Sequence, residues 1–134
     1  MNRELKFRIF NKTIGYFVQD LDSDKASLHL VDLAHYLSSN SIVNTSGYAF
    51  PQFTGLSDKD GVEIYDGDIV KVTEYNPNNE KCEESLEVVC WRHCGFVTIT
   101  IQNHEKKWCG GSEICDTNNL EVVGNIFENK ELLK

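Results

Sequence analysis

The sequence has no long apolar run, and nowhere does it approach the roughly eighteen apolar residues of a membrane-spanning helix. Its first ten residues include four charged side chains, where a secretory leader needs an apolar segment. It also lacks a phosphate-binding glycine loop, a dinucleotide fingerprint and a metalloprotease helix. We therefore expect a cytoplasmic protein with no cofactor and no membrane partner, and no motif argues for catalysis.

Basic residues are few, because 13 lysines and arginines stand against 21 aspartates and glutamates, for a formal net charge of −8. Residues 1–68 and 69–134 each carry −4, so neither half is a basic module. Non-specific binding to nucleic acid depends on lysines and arginines that displace counterions. The composition therefore argues against nucleic acid as a partner.

Cysteine occurs five times, and an odd count without a secretory signal favours thiols over a disulfide framework. One constellation resembles a metal site: Cys90, Cys94, Cys109 and Cys115, with His93 and His104 nearby. Its spacings, Cys-x3-Cys and Cys-x5-Cys, differ from the Cys-x2-Cys pairs that are typical of structural zinc. We expect no metal, and the four cysteines stay weak candidates.

The length of 134 residues, with 40% apolar and 25% charged residues, is ordinary for one globular domain. We expect a single domain over residues 1–134. It would consist of an N-terminal lobe with a hairpin and an insertion, residues 1–51, and a barrel lobe, residues 52–134.

The middle of the chain contains two glycine turns. Gly61 supplies the positive φ of a tight reversal, and Gly67 supplies a second one. Asp60, Asp66 and Asp68 stand beside them, and such short carboxylates accept hydrogen bonds from nearby backbone N–H groups. A β-branched strand follows directly.

The same stretch carries five carboxylates in eleven residues: Asp58, Asp60, Glu63, Asp66 and Asp68. A divalent cation or an acid–base pair could use such groups. Because turn chemistry already accounts for three of them, we expect structural roles and no catalytic residue.

Near the start, apolar and charged residues alternate over residues 4–9, which predicts a half-buried strand. A turn at residues 11–13 and a second strand over residues 14–19 complete a predicted hairpin. The local basic residues are expected on its solvated outer face, with a binding patch for phosphate or an acidic partner as the alternative: Arg3, Lys6, Arg8 and Lys12.

The insertion over residues 28–39 partly fits an apolar helical stripe, which predicts a short helix. The alternative is a strand over residues 28–31, followed by a short helix that Asp32 caps. Further on, β-rich runs at residues 86–91 and 96–101 predict a hairpin. Short strands near residues 107–109 and at 120–123 would complete a barrel of about five strands.

Three segments, in the right order, resemble the YopX family of small proteins encoded in bacteriophages and prophages. They are KFRIF at residues 6–10, FTGLSDKDGVEIYDGDIV at residues 53–70 and EVVGNIFENKELL at residues 121–133. The resemblance implies a mostly β (α+β) fold whose C-terminal part is an SH3-like barrel, and it brings no catalytic residues. We expect structural turn roles for seven residues: Gly55, Asp60, Gly61, Asp66, Gly67, Asp68 and Gly124.

Two classes of function follow. The first is a phage or prophage accessory protein that is not an enzyme and that acts in the bacterial cytoplasm. It would bind a host or phage protein, or a second copy of itself, through a barrel face or a sheet edge. The alternative is an SH3-like nucleic-acid-binding module that uses the basic first strand together with Trp91 and Trp108.

Overall fold

The computed structural model describes residues 5–17, 27–29, 47–92, 95–101, 112–114 and 117–133. In chain order they form β1 (Lys6–Arg8), β2 (Phe10–Asn11), β3 (Tyr16–Phe17), β4 (Ser27–His29), β5 (Tyr48–Ala49), β6 (Phe53–Ser57), β7 (Glu63–Tyr65), β8 (Asp68–Asn76), β9 (Lys81–Arg92), β10 (Gly95–Thr100), β11 (Ser112–Glu113), β12 (Leu120–Asn125) and a 3₁₀ helix (Lys130–Leu133). The protein is therefore mostly β, as predicted.

The largest sheet has five antiparallel strands in the order β11-β10-β9-β8-β12. Its centre is the pair of long strands β8 and β9, which a turn at residues 77–80 joins into one hairpin. The predicted hairpin of β9 and β10 is also present. Val70 and Val72 of β8 pack with Val89, Ile64 and Leu120 as a core on one face of the sheet.

The opposite face of this sheet is buried as well. Ile69, Val88 and Ile99 stand side by side across β8, β9 and β10, and at most 2% of each is exposed. Because side chains alternate along a strand, burial of both faces requires consecutive apolar residues. The β-branched run that starts at Ile69 meets that requirement.

The expected SH3-like barrel is not confirmed. Among the described residues, no sheet closes on itself, and β11 and β12 form the two edges of the five-stranded sheet. The predicted strand near residues 107–109 lies outside the described part of the chain.

The expected short helix in the insertion is not confirmed either. The insertion begins with an extended segment, because Ser27–His29 form β4 and pair antiparallel with β1. Residues 30–39, which would carry the rest of the helix, are outside the described ranges. The alternative that began with a strand agrees with the part that the structure describes.

The N-terminal hairpin is confirmed in part. β2 and β3 pair through a turn over residues 12–15, in which the Asn11 side chain accepts from the N–H groups of Thr13 and Ile14. However, β1 is not one of its strands: it pairs with β4 and bridges to Gln52. The extended N-terminal segment is divided into β1 and β2 at Ile9, a residue that belongs to neither strand and is 1% exposed.

Two further strand pairs complete the described fold. β6 pairs with β7, and β2 also pairs with β5. Aromatic rings join the two ends of the chain, because Phe10 contacts Phe17 and Phe127 at 5.1 Å between ring centroids. In the described ranges, no helix has the length and apolar character that crossing a bilayer requires.

Candidate functional site

Both predicted glycine turns are present. Gly61 and Gly67 have φ angles of +82° and +86°, and β7 is the short strand between the turns. At Gly67 a side chain would also crowd its surroundings, because an added Cβ would lie 3.0 Å from the Phe127 ring. Gly55, another of the expected turn residues, has a φ of +86° and lies where the register of β6 against β7 shifts.

Asp58, rather than Asp60, organises the first turn. The side chain of Asp58 accepts hydrogen bonds from the N–H groups of Asp60, Val62 and Val122 at 2.9 Å each. Asp60 is exposed at the turn tip. Asp58 therefore makes the hydrogen bonds that were expected of Asp60. The reason is that Asp58 enters the turn, so its carboxylate lies nearest to the N–H groups that point into the turn.

Asp68 organises the second turn, as predicted. Its Oδ2 accepts from the Tyr65 N–H at 2.8 Å, and the residue is 2% exposed. Burial raises the pKa of the Asp68 carboxyl to about 7, and the Tyr65 N–H and the Arg8 charge oppose that shift. Asp68 is thus a buried carboxyl that titrates near neutrality.

Lys6 and Arg8 are not on a solvated face, so the prediction for them was wrong. Lys6 is 8% exposed, and its Nζ lies 2.7 Å from Oε1 of Glu63. The Arg8 guanidinium stacks over the Tyr65 ring at 4.0 Å and lies 3.9 Å from Oδ1 of Asp68. The reason is that β1 lies over the turn region. There the carboxylates of Glu63 and Asp68 and the ring of Tyr65 interact with the two cations in place of water.

These inward contacts also bear on the alternative of a basic binding patch. Of its four members, Lys12 is exposed, Lys6 and Arg8 are engaged with the turn region, and Arg3 lies outside the described residues. The phosphate-binding alternative therefore loses two of its four residues, Lys6 and Arg8.

Glu63 interacts with the same group of residues. Its carboxylate accepts from Lys6 Nζ and, at 2.9 Å, from the Tyr65 hydroxyl. Although partial burial acts to raise it, the pKa of Glu63 is lowered by these two hydrogen bonds and by the Lys6 and Arg8 charges. We call the group formed by Lys6, Arg8, Glu63, Tyr65 and Asp68 the charged cluster.

The five central carboxylates do not converge on one point. Asp58 faces backbone N–H groups, Glu63 faces Lys6, and Asp68 faces Tyr65. Within the part of the chain that the structure describes, no three histidine, cysteine or acidic side chains are placed to hold a metal ion. Asp58, Glu63 and Asp68 therefore each have a structural partner in place of a ligand.

The cysteine constellation is only partly described. Cys90 is half-buried in β9, and Cys82 is exposed on the same strand. Cys94, Cys109 and Cys115 lie outside the described residues, as do His93 and His104. Zinc binding by these four cysteines therefore stays a weak candidate that the structure does not test.

A two-stranded ribbon is the feature that sequence reasoning missed. β8 and β9 continue to pair beyond the last partners of β12 and β10, which are Val72 and Glu87. Residues 74–84, here called the ribbon, therefore project from the five-stranded sheet, and all except the half-buried Asn76 are exposed. The polar, proline-containing sequence of residues 76–81 by itself indicates only a surface loop.

The ribbon is acidic. It contains four glutamates and one lysine, for a net charge of −3. Glu74 stands directly opposite Glu83, an arrangement that repulsion between like charges disfavours. The side-chain amides of Asn76 and Asn79 donate to Oε1 of Glu83 at 3.0 and 2.8 Å and lower the pKa of that carboxyl. Glu83 thus stays ionised beside a second carboxylate.

The ribbon also exposes an aromatic ring. Tyr75 is 62% exposed and pairs across the ribbon with Cys82. Trp91, which the nucleic-acid-binding alternative would use, is 44% exposed and packs edge-to-face on Phe96 at 4.9 Å between ring centroids. Trp108 is outside the described part of the chain.

Comparison with known proteins agrees with the sequence pattern. A family model described as YopX protein matches residues 6–134. Among solved structures, the chain is similar to the crystal structure of protein EF1440 from Enterococcus faecalis, at 22% sequence identity. That match covers 97% of this chain and 98% of the other, with a TM-score of 0.54, and concerns the fold alone. No curated protein matches the chain.

Proposed function

Because this chain belongs to the YopX family, we propose that it is a small accessory protein of phage or prophage origin, acting in the host cytoplasm by binding another protein. One observation carries this proposal: the acidic ribbon projects from the sheet with its faces exposed. The repulsion between the facing Glu74 and Glu83 lowers the stability of the ribbon. A role in binding another molecule accounts best for keeping this exposed acidic surface.

The proposal does not include catalysis. Of the central carboxylates, Asp58, Glu63 and Asp68 are engaged in turns and ion pairs. Asp68, which is buried and has a pKa raised to about 7, faces Arg8 and the Tyr65 backbone. Perturbed pKa values occur in structural clusters as well as in active sites. The charged cluster therefore fits a role in joining the N-terminal strand to the central turns.

We also propose that the C-terminal lobe is a curved, SH3-like sheet. Two features support this. Residues from all five strands of the sheet line one cleft, which requires strong curvature. In addition, Lys59 N–H donates to Leu120 O at 3.0 Å, so the turn before β7 extends along the free edge of β12. An experimental structure that shows a flat, open sheet would contradict this assignment.

Nucleic-acid binding is the weaker candidate, since Lys6 and Arg8 are engaged in the charged cluster. A gel shift with random DNA and RNA at several salt concentrations separates the two functions. Tight binding that weakens steeply with salt would overturn the proposed function. We expect no shift at physiological salt.

Site-specific photocrosslinking tests the proposed interaction surface. A photoreactive phenylalanine analogue replaces Tyr75, and the matched control carries it at Tyr16, which is 68% exposed on β3. In host cells that carry the phage, we expect one covalent adduct from position 75 and none from position 16. The paired charge reversal Glu83→Lys with Glu84→Lys should abolish that adduct, whereas Glu131→Lys should not. Equal adducts from both positions would contradict the proposal, and an adduct of doubled mass would assign self-association.

A further inference from the structure

A small cleft lies on the curved sheet, next to the ribbon. Its volume is about 180 Å³, and its apolar part is formed by Val72, Leu120 and Ile114. Pockets for drug-sized ligands or cofactors are larger, about 300–1,000 Å³. The cleft therefore suits a single side chain of a partner.

Three carboxylates surround this apolar part: Glu74, Glu87 and Glu113. In the described ranges, none of the three forms a salt bridge with a lysine or arginine of this chain. Glu74 also belongs to the ribbon. Together with Glu83 it lines a second cleft, which lies along the ribbon. The negative surface therefore runs without a break from the cleft onto the ribbon.

Thr98 gives an independent indication of a ligand. This residue of β10 lines the cleft and is 6% exposed. No hydrogen bond of its hydroxyl is found in the part of the chain that the structure describes, and Thr98 is not among the described residues with further interactions. A buried hydroxyl without a partner lowers stability, so natural proteins rarely keep one without a use.

We propose that this cleft binds the side chain of an arginine or lysine from a basic segment of the partner protein. The aliphatic stem would lie on Val72 and Leu120, and the cationic head would reach Glu87 and Glu113. The Thr98 hydroxyl accepts a hydrogen bond from that head, which has donors but no acceptors. The rest of the basic segment would follow the acidic ribbon. This inference rests on the proposed function and names the chemistry of the partner.

A titration with short peptides tests the cleft directly. The probes are acetyl-Gly-Arg-Gly-amide and the same peptide with citrulline, a neutral isostere of arginine, added to the full chain labelled with ¹⁵N. We expect saturable shifts of the amide signals of Thr98, Glu87 and Leu120, with binding about tenfold tighter for arginine. Equal binding of both peptides, or shifts confined to the ribbon, would overturn the proposal.

Three variants sharpen this test. Glu87→Gln should weaken binding of the arginine peptide about two- to fivefold, the effect of one partly exposed ion pair. Thr98→Val should also weaken it. The same variant should raise Tm by a few degrees, because it removes a buried hydroxyl that has no partner among the described residues. Glu131→Gln, on the 3₁₀ helix, should change neither. A Thr98→Val variant with unchanged binding would overturn the role of the hydroxyl.

The outcomes separate this inference from the proposed function. Crosslinking from Tyr75 without arginine binding would remove the cleft proposal and leave the interaction role. Arginine binding without any crosslinked partner would support the cleft as a site for cations and overturn the role of the ribbon.

Discussion

The carboxylate of Asp58 accepts a hydrogen bond from the backbone N–H of Val122 at 2.9 Å, although 64 residues separate the two in sequence. The bond connects the first glycine turn to the outer edge of β12. Lys59 adds a backbone bond to Leu120 on the same edge. An edge strand with unpaired N–H and C=O groups invites pairing with another chain, and these two bonds protect β12 from it.

We predict that Asp58→Ala lowers the free energy of unfolding by about 3 kcal/mol, because three N–H groups lose their acceptor in a mostly buried place. Urea denaturation measures the loss. The matched control Asp60→Ala, at the exposed tip of the same turn, should change stability by less than about 0.5 kcal/mol. Equal losses for the two variants would show that Asp58 does not hold the turn.

The buried Asp68 carboxyl should make stability fall as the pH rises. Its pKa in the folded state, about 7, lies above the ordinary value of 3.8, so the folded state holds the proton more tightly. The resulting stability is complete below about pH 4 and is lost as the pH rises through about 7. From about pH 5 to about pH 8, we expect Asp68 to account for a loss of about 2–3 kcal/mol.

Asp68→Asn isolates this effect. Asparagine keeps an oxygen that accepts from the Tyr65 N–H but carries no titrating proton. The difference in Tm between the native protein and the variant should therefore vary across that pH range. If the two melting curves stayed parallel at every pH, Asp68 would not titrate there. Asp68→Ala should in addition cost about 1 kcal/mol at all pH values, because the turn hydrogen bond is lost.

A double-mutant cycle on Lys6 and Glu63 tests the charged cluster. Lys6→Met and Glu63→Gln should each lower the free energy of unfolding by about 1–2 kcal/mol, with a coupling of about 1 kcal/mol between them. The comparison pair is Lys59 and Glu121, which are 3.5 Å apart and whose lysine is more exposed than Lys6. It should couple by less than about 0.5 kcal/mol. Similar coupling in both pairs would mean that the burial of Lys6 adds nothing.

Gly124 should not tolerate a side chain. A Cβ there would lie 2.6 Å from Oδ1 of Asn129, which accepts the Asn125 N–H. We expect Gly124→Ala to lower the free energy of unfolding by about 1–3 kcal/mol, since the overpacked turn must shift. Gly95→Ala is the control, because a Cβ there meets open space. Thermal melts that rank the two variants in the opposite order would contradict this packing.

The ribbon should be more stable with one charge fewer. Glu74→Gln removes the repulsion between Glu74 and Glu83 and should raise the free energy of unfolding by about 0.5 kcal/mol. The same variant should weaken the capture of a basic partner. Glu80→Gln, in the turn of the ribbon, serves as a control for stability. A loss of stability in Glu74→Gln would show that the pair is not repulsive.

Local signals made much of the fold predictable. Gly61 and Gly67 mark turns because few other residues adopt a positive φ, and the β-branched run from Ile69 marks a strand with two buried faces. Such features depend on residues that are close in sequence. The family resemblance added the order of the segments and nothing about a ligand.

The remaining features depend on contacts between distant segments. The alternating pattern around Lys6 predicted a solvated charge, but β1 lies over Glu63 and Tyr65, so the charge is buried with partners. Asp58 was missed for the same reason, since its third hydrogen bond comes from Val122. The ribbon had one local signal, because residue types that favour strands, Val72, Thr73 and Tyr75, continue beyond the apolar start of β8.

The sequence by itself determined the glycine turns, four strands of the five-stranded sheet and the family, because propensity and periodicity act over a few residues. The edge strand β11 was not predicted. Only the tertiary structure decided which charges face inward, which strands have free edges, and that Thr98 and three glutamates surround one cleft. Those relationships arise from sheet curvature and from pairings across many residues, which no local pattern encodes.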